Sequence, residues 1–433
     1  MSAAAFNVDV VIFGGGAAGL WLLDELRRAG YAAVLLEAHA LGAGQTIASQ
    51  GILHGGLKYT LDGLFSPAAE AIREMPQVWR ECLAGRRAPE LGGVRLRSPH
   101  CYLWRTREWM SRLGMLGAKV GLRVKPVKLE RAEWPAALAG CAGEVYRLDE
   151  QVIEPGSFLE TLAQGNAAWL LKVDAERVQL DCGAPGRVAS IRIEQGAVGG
   201  VCDRDQTRAT AGRDGPGQRP LLEGKATTGG RVLDLRPRAV VLTAGRGNAE
   251  LRQCVGLPAE LMQLRPLHMV YVRGTLPPLH GHCTDGARTR VTITSTGDTQ
   301  GRTVWQVGGQ VAEDGVRMAE LDLLRHAKAE LATVLPGLSL DGLEWSADRI
   351  DRAEAATAAG QRPDDAFCRR EGNVITAWPT KLVLSPRLAR QVRKLLEPPA
   401  GDTIELEAAL RDWPRPTVAI PPWETERTWR HDH

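Results

Sequence analysis

The sequence predicts an α/β fold, α+β overall, in which a domain built on a parallel sheet is interleaved with a smaller domain built on a mostly antiparallel sheet. Two observations predict it. The chain opens with an apolar strand, a glycine cluster, a helical stretch and a second apolar strand in immediate succession, the order of a βαβ unit. Between residues 265 and 309, three short segments are alternating or rich in β-branched residues, as strands of a half-buried sheet are. The 433 residues allow two to three interlocked domains. With 44% hydrophobic and 24% charged residues, a wholly disordered chain is excluded. The 54 basic and 51 acidic residues leave a net charge of +3 without a basic block, so no nucleic-acid partner is expected.

The first strand, Val8 to Phe13, is continuous and rich in β-branched residues, as a strand buried on both faces is. Residues 14–19 read Gly-Gly-Gly-Ala-Ala-Gly and fit G-x-G-x-x-G. Gly14 permits the tight turn, Gly16 lets the backbone approach a pyrophosphate, and Gly19 lets the helix pack on the strands. The helix beginning at Ala17 and Ala18 then points its N–H groups at the phosphates. Gly30 stops that helix, and the next strand, from Ala32, ends at Glu37. An acid about 20 residues beyond the glycines accepts hydrogen bonds from ribose hydroxyls. The whole succession predicts a Rossmann-like, adenine-dinucleotide-binding domain.

Further along, Arg265–Thr275, Thr289–Thr296 and Thr303–Gly309 read as strands, and Pro67–Cys82 and Arg317–Leu335 as helices. Residues 183–230 are rich in Gly, Arg, Thr and Asp and read as a hairpin insertion with a flexible tip. The end of the chain carries Pro398, Pro399, Pro414, Pro416, Pro421 and Pro422 with Trp413, Trp423 and Trp429. Prolines at that spacing forbid a long helix. The tail is expected to dock through its indole rings, with a peripheral membrane or protein contact as the alternative.

The N-terminus shows no basic segment followed by an apolar one and a cleavage site, so a cytoplasmic location is expected. The eight cysteines are scattered without a C-x-x-C pair, as free thiols are. His280, His282 and Cys283 cluster in sequence but lack a second ligand pair at metal-binding spacing, so no metal is expected.

Three later segments carry a resemblance. Arg238–Arg246 is an apolar strand ending in Ala244-Gly245; Gly44–Tyr59 reads GQTIASQGILHGGLKY; Asn373–Leu382 ends in Trp-Pro-Thr-Lys-Leu before a helix running to about Leu396. Together with Leu148–Pro155, an acidic turn before a helix, they resemble the D-amino-acid-oxidase-like superfamily of FAD-dependent oxidoreductases. The HGGLKY stretch and Lys381-Leu382 resemble FAD-dependent glycerol-3-phosphate dehydrogenases most closely, with a looser likeness to L-2-hydroxyglutarate oxidases. Trp378-Pro379-Thr380 stands where the dehydrogenases have glycines, and their extra C-terminal helical domain has no counterpart here.

The resemblance implies FAD as cofactor. It implies contacts from Gly14, Gly16, Ala17, Ala18, Gly19, Glu37, Gln45, Thr46, Ser49, Gln50, Gly51, Val173, Ala244, Gly245, Thr380 and Leu382. Lys58 and Tyr59 would bind an anionic substrate head, and Arg349 and Arg352 sit where the superfamily places a substrate-binding arginine, unless Asp348 or Asp351 pairs with them. Lys381 would anchor the substrate anion or stabilise charge on the reduced flavin. His54 would serve as the base that removes a hydroxyl proton, or else pack as an ordinary buried histidine.

The implied domains are 1–65, 150–250 and 340–400 for FAD, 66–149 and 251–339 for substrate, and 401–433 for the tail. The function these readings support is oxidation of a small polar, anionic substrate at CH–OH by hydride transfer to flavin N5. An amine or amino-acid oxidase on the same fold is the first alternative, and a flavoprotein interaction subunit without turnover the second. Oxygen, a quinone or a carrier protein all remain open as electron acceptor.

Overall fold

The computed structural model describes residues 5–55, 71–106, 126–195, 231–285, 288–401 and 403–431. In chain order the strands begin with β1 (Ala5–Phe13), β2 (Ala33–Glu37), β3 (Leu96–Ser98), β4 (Cys101–Trp104), β5 (Val127–Lys128) and β6 (Val145–Leu148). They continue with β7 (Val152–Ile153), β8 (Leu170–Lys172), β9 (Val178–Ala184), β10 (Arg187–Glu194), β11 (Val232–Leu242) and β12 (Met262–Gly274). The rest are β13 (Gly281–Asp285), β14 (Arg288–Gly297), β15 (Thr303–Gly308), β16 (Glu344–Ala355), β17 (Phe367–Glu371), β18 (Val374–Trp378) and β19 (Arg430–His431).

The first sheet runs β17-β18-β11-β1-β2-β8, with β10 on β11 and β9 on β10. Its centre is parallel: β1 pairs with β11 and β2, β2 with β8, and β11 with β18. Val10, Val11, Ile12, Val240, Val241, Val34 and Leu35 are buried, which explains their unbroken apolar runs. The helix Ala17–Arg28 covers one face and presents Leu20, Leu23 and Trp21 to the core. Trp21 meets Trp79 of the helix Met75–Leu83 with ring centroids 4.7 Å apart, and Trp79 meets Phe158 at 5.3 Å. Such tilted pairs contribute about 1 kcal/mol each beyond area burial.

The second sheet runs β19-β16-β12-β15-β14-β13-β4-β6-β5, antiparallel except between β13 and β4. Its alternation sorts two faces. Val270, Val272, Val291, Ile293, Trp305 and Val307 share one core with Leu323, Ala327 and Leu331 of the helix Glu320–Val334. Met269, Tyr271 and Val304 pack on the other face with Trp423. Gln306 lies opposite both Tyr271 and Thr294 in register, so these side chains share that second face. The face turns toward the first sheet's loops, and polar side chains buried there are the raw material of a site.

Three segments sit differently from the sequence-based division. Residues 340–400 do not all join the parallel sheet: β17, β18 and the helix Ser385–Arg393 do, whereas β16 pairs along its length with β12 in the antiparallel sheet. The alternating character of β16 suits a half-buried strand. The helix Met75–Leu83, within 66–149, packs its apolar side into the core of the first sheet. The hairpin begins at Val178, and its arms β9 and β10 extend the first sheet, while 196–230 lies outside the described residues. The tail buries Trp413 and Trp423, and Val418 bridges to Leu41. Among the described residues no helix is long and apolar enough to cross a membrane.

Candidate active site

The glycine turn leaves β1 beside the end of β11. Gly14 has φ +102°, and a Cβ there would fall 2.5 Å from the Ala244 Cα. A Cβ on Gly19 would fall 2.0 Å from the Gly14 carbonyl oxygen. Both positions are closed to side chains by backbone. Gly16 differs: its nearest obstacle is the Thr46 hydroxyl at 3.3 Å. The space beside Gly16 is therefore not required by the fold itself. The helix opens without a side-chain cap, and the Ala17 N–H donates to Thr46 Oγ1 at 3.2 Å while Ala18 is buried. The Glu37 carboxylate accepts from the Gly15 and His39 N–H groups at 2.6 and 2.7 Å. The Val173 N–H bonds the Glu37 carbonyl, fixing β8 beside it.

The segment after Glu37 turns back over this mouth. Ser49 has a buried hydroxyl without a partner among the described residues, and Gln45 approaches Gly245. Gln50 does something the sequence did not reveal: its side-chain amide donates to the carbonyls of Thr292 and Gln306, both at 2.9 Å. Its side chain thus clamps the first sheet's loop to β14 and β15. Gly51 has φ +73°, and a Cβ there would strike the Ile153 carbonyl at 2.0 Å. That close approach lets 51–53 run against 151–153, with Ile153 N–H donating to the Gly51 carbonyl and Leu53 N–H to that of Gln151.

This pairing delivers His54 to Glu150. Glu150 is 2% exposed and accepts from the Gly55 N–H at 2.6 Å. Its other oxygen stands 3.6 Å from His54 Nδ1 and 3.7 Å from His282 Nε2. Burial by itself raises the Glu150 carboxyl, but hydrogen bonding to His282 and His54 more than offsets this and holds it well below the usual carboxylate range. His282 is oriented in turn by Thr292 Oγ1, 2.9 Å from its Nδ1. The ligand-type atoms of His54, Glu150 and His282 lie within 4.8 Å of one another, close enough to share a proton or to hold a cation.

The late segments close the site from the other side. Asn248, fully buried, accepts from the Ala244 N–H at 2.7 Å and donates to the carbonyls of Leu242 and Ala377. Trp378 Nε1 donates to the Gly245 carbonyl at 3.2 Å. Both ties hold the end of β18 against Ala244-Gly245. Thr380 then adopts φ +61°, a left-handed conformation that a β-branched residue disfavours. Its hydroxyl donates to the Asp365 carbonyl at 2.9 Å. Thr380→Gly removes about 1–2 kcal/mol of strain, loses a hydrogen bond worth about 1 kcal/mol and adds backbone entropy. It is expected to melt close to the wild type, whereas Thr380→Val, which keeps the strain and loses only the bond, melts lower. Lys381 precedes a short 3₁₀ turn opening at Leu382, with the helix Ser385–Arg393 after it. Burial first, then the Arg362 charge, pulls the Lys381 ammonium down to about 7.

Lys58 and Tyr59 lie outside the described residues. Arg349 does not join the site: it is exposed and pairs with Asp351 at 3.3 Å, as strand alternation dictates for a residue opposite His268 on the outer face. Arg352 donates to the Arg265 carbonyl at 3.0 Å, so part of its guanidinium is spent within the sheet. Of His280, His282 and Cys283, alternation along β13 separates the last two: Cys283 enters the apolar core, while His282 reaches Glu150. The sequence reading missed Glu150 and His282 as partners of His54, since the contacts span about 95 and 230 residues. It also missed Arg97, whose Nη1 donates to Gln306 Oε1 at 3.2 Å. A mid-strand arginine in an arginine-rich chain gave no signal.

The donor set fits an adenine dinucleotide: a backbone cradle at Gly16, a helix N-terminus, an acid at Glu37 and an unspent buried hydroxyl at Ser49. Comparison with known proteins agrees. Residues 9–377 match the family described as FAD dependent oxidoreductase, DAO. The chain is 39% identical over 429 residues to the probable FAD-dependent oxidoreductase PA4991 of Pseudomonas aeruginosa, covering 97% of this chain and 98% of that protein. The crystal structure of PA4991 superposes with a TM-score of 0.74 at 34% identity, over 98% of this chain and 99% of that one. Glycine oxidase from Geobacillus kaustophilus shares the fold at TM-score 0.57 and 18% identity, over 96% of this chain and all of that one. FAD-bound L-α-glycerophosphate oxidase from Mycoplasma pneumoniae shares it at 0.57 and 13%, over 90% and 94%. The chain belongs to the DAO family of FAD-dependent oxidoreductases.

Proposed function

We propose that this oxidoreductase acts on a small, polar, anionic substrate at a CH–OH carbon, with bound FAD supplying the hydride acceptor. The observation that carries the reading is His54 backed by the buried Glu150 carboxylate. An alcohol must lose its hydroxyl proton as the carbon loses hydride, and a free hydroxyl is far too weak an acid to do so unaided. An amine delivered in its neutral form needs no such base. Glu150 faces His54 Nδ1 at 3.6 Å, so the ring nitrogen that would take the substrate proton is Nε2. The negative charge of Glu150 stabilises the imidazolium that results. Stopped-flow mixing with hydroxy acids, sugar phosphates and amino acids tests the reading. Bleaching of the flavin by a hydroxy acid or sugar phosphate is the expected result, and bleaching by amines alone would overturn it.

Lys381 adds a pH signature. Its ammonium is held at about 7 against an ordinary 10.5. Between those values the unfolded chain carries a proton that the folded chain has shed, so folding stability rises with pH across that window. The burial penalty is fully present below about 7. Lys381→Met should abolish this dependence. From about pH 7.5 to 9.5, wild-type stability in urea is expected to gain about 2 kcal/mol relative to the variant. Parallel curves for the two proteins would place Lys381 in solvent.

A further inference from the structure

We propose that Cys182 and Cys254 form a redox pair: under a hydroperoxide they close into a disulfide that staples the β9–β10 hairpin to the helix Asn248–Cys254. The proposal goes beyond the oxidation reaction above and does not depend on its substrate.

Local sequence brings both thiols to one joint. Strand β9 alternates, so Val178, Leu180 and Cys182 take its inner side while Gln179 and Asp181 are exposed. Cys182 thus packs against the edge of the first sheet's core, as do Leu251 of the helix and Leu257 just after it. Cys254 is the last residue of that helix, and Cys182 Sγ stands 3.9 Å from its carbonyl oxygen. Backbone contacts fix the approach. The Gly186 N–H donates to the Val255 carbonyl at 2.8 Å. A Cβ on Gly256, which has φ +72°, would fall 3.2 Å from the Pro185 Cα. The two cysteines are therefore held as neighbours while both are still thiols.

Their surroundings assign the roles. Among the described cysteines Cys254 alone is exposed, so a small oxidant in solution meets it first. Cys182 is partly buried. Burial first, then the Asp181 charge and the Cys254 thiol, raise it above the usual thiol range, which suits the resolving sulfur better than the attacking one. The other interacting thiols do not compete: Cys283 and Cys141 are both buried, and burial raises both, Cys141 to about 11.

The chemistry has two steps. The Cys254 sulfur attacks one oxygen of hydrogen peroxide, the O–O bond breaks, and hydroxide leaves with the proton Cys254 gave up, as water; the product is a sulfenic acid. The Cys182 sulfur then attacks the Cys254 sulfur. An S–S bond forms, the S–O bond breaks, and the second hydroxide takes the Cys182 proton. Two thiols and one peroxide give one disulfide and two waters, the sulfurs losing the two electrons that the peroxide oxygens gain. The staple joins residues 72 apart in the chain, so it removes much of the freedom of the unfolded state. It also ends on the helix whose first residue, Asn248, holds Ala244 and Ala377.

The test uses the FAD-loaded full chain with Cys202, which lies outside the described residues, replaced by Ser throughout. After exposure to hydrogen peroxide, thiol titration should show two thiols lost. Mass spectrometry should show a chain lighter by two hydrogens, with the peptides of Cys182 and Cys254 linked, and dithiothreitol should reverse both. The oxidised protein should melt about 2 °C or more above the reduced one. Cys182→Ser should leave a sulfenic acid on Cys254 that dimedone captures, and Cys254→Ser should leave Cys182 a thiol under the same exposure. Three results overturn the proposal. One is Cys254 passing on to a sulfinic acid while Cys182 stays a thiol. Another is a disulfide that joins two chains instead. The third is a lower melting temperature after oxidation, which would show that the native joint must distort to close the bond.

Discussion

Gly14→Val is expected to yield protein that does not retain FAD and does not melt cooperatively at the wild-type temperature. Two effects add. At φ +102° any L side chain is strained, and a branched one most of all. The new Cβ would also stand 2.5 Å from the Ala244 Cα and 2.6 Å from its nitrogen, so β1 and β11 would have to part at the centre of the parallel sheet. Neither obstacle is a flexible side-chain end that can swing away. The cost lies well above the usual ~1 kcal/mol of a point substitution and in the exceptional range of more than about 4 kcal/mol. Gly16→Ala is the informative companion. Its Cβ would meet only the Thr46 hydroxyl at 3.3 Å, so the apoprotein should melt within a few degrees of wild type. It should nevertheless bind FAD at least about tenfold more weakly, because the methyl group occupies the approach reserved for a pyrophosphate. Far-UV melts of apoprotein and FAD titration measured by flavin fluorescence separate the two. Equal loss of stability in both variants would show that Gly16 is a structural glycine like Gly14.

These contrasts mark what was legible in the sequence. The turn at 14–19 is local, so the order strand, glycines, helix and strand is enough to mark Gly14 for the tight turn and Gly19 for close packing of the helix, where a Cβ would meet backbone. The antiparallel strands 262–274, 288–297 and 303–308 are similarly announced by their alternation. Partners distant in sequence are another matter. Gly51 reads as one more glycine of a flavin-contact segment. Only the structure shows that its missing Cβ admits the Ile153 carbonyl and so brings His54 onto Glu150. Arg349 was legible by resemblance and misplaced by it: position relative to a family's motif cannot say which face of a strand a residue takes, whereas pairing with β12 does. Gln50 illustrates the same limit, its amide being committed to two carbonyls more than 240 residues away. The tail lay between these cases. Proline spacing excluded a long helix, and the tryptophans suggested docking, but not that Trp423 would cover an arginine of β3.

His54→Ala carries the second large effect. With an alcohol substrate, the first-order rate of flavin bleaching is expected to fall about 10²–10⁴-fold, the usual worth of a positioned base, while FAD content stays near wild type and the melting temperature falls, because the buried Glu150 carboxylate keeps only one of its two imidazoles, His282. Glu150→Gln separates positioning from presence. The amide can still accept from the Gly55 N–H but has lost the charge that faces both imidazoles. Its rate should fall less than that of His54→Ala, about 10–100-fold by the loss of a charge-assisted hydrogen bond of about 1.5–3 kcal/mol. Glu150→Ala would remove the acceptor from a buried N–H as well and is expected to lower stability, so it is the poorer probe of catalysis. The double variant is decisive about mechanism. If Glu150 acts through His54, adding Glu150→Gln to His54→Ala should cost nothing further. Two additional outcomes have definite meanings. A rate unchanged in His54→Ala would fit donation from an amine that needs no base and would remove the alcohol reading. A rate abolished by EDTA and restored by a divalent metal would move His54, Glu150 and His282 from proton transfer to ligation, which their 4.8 Å cluster permits geometrically.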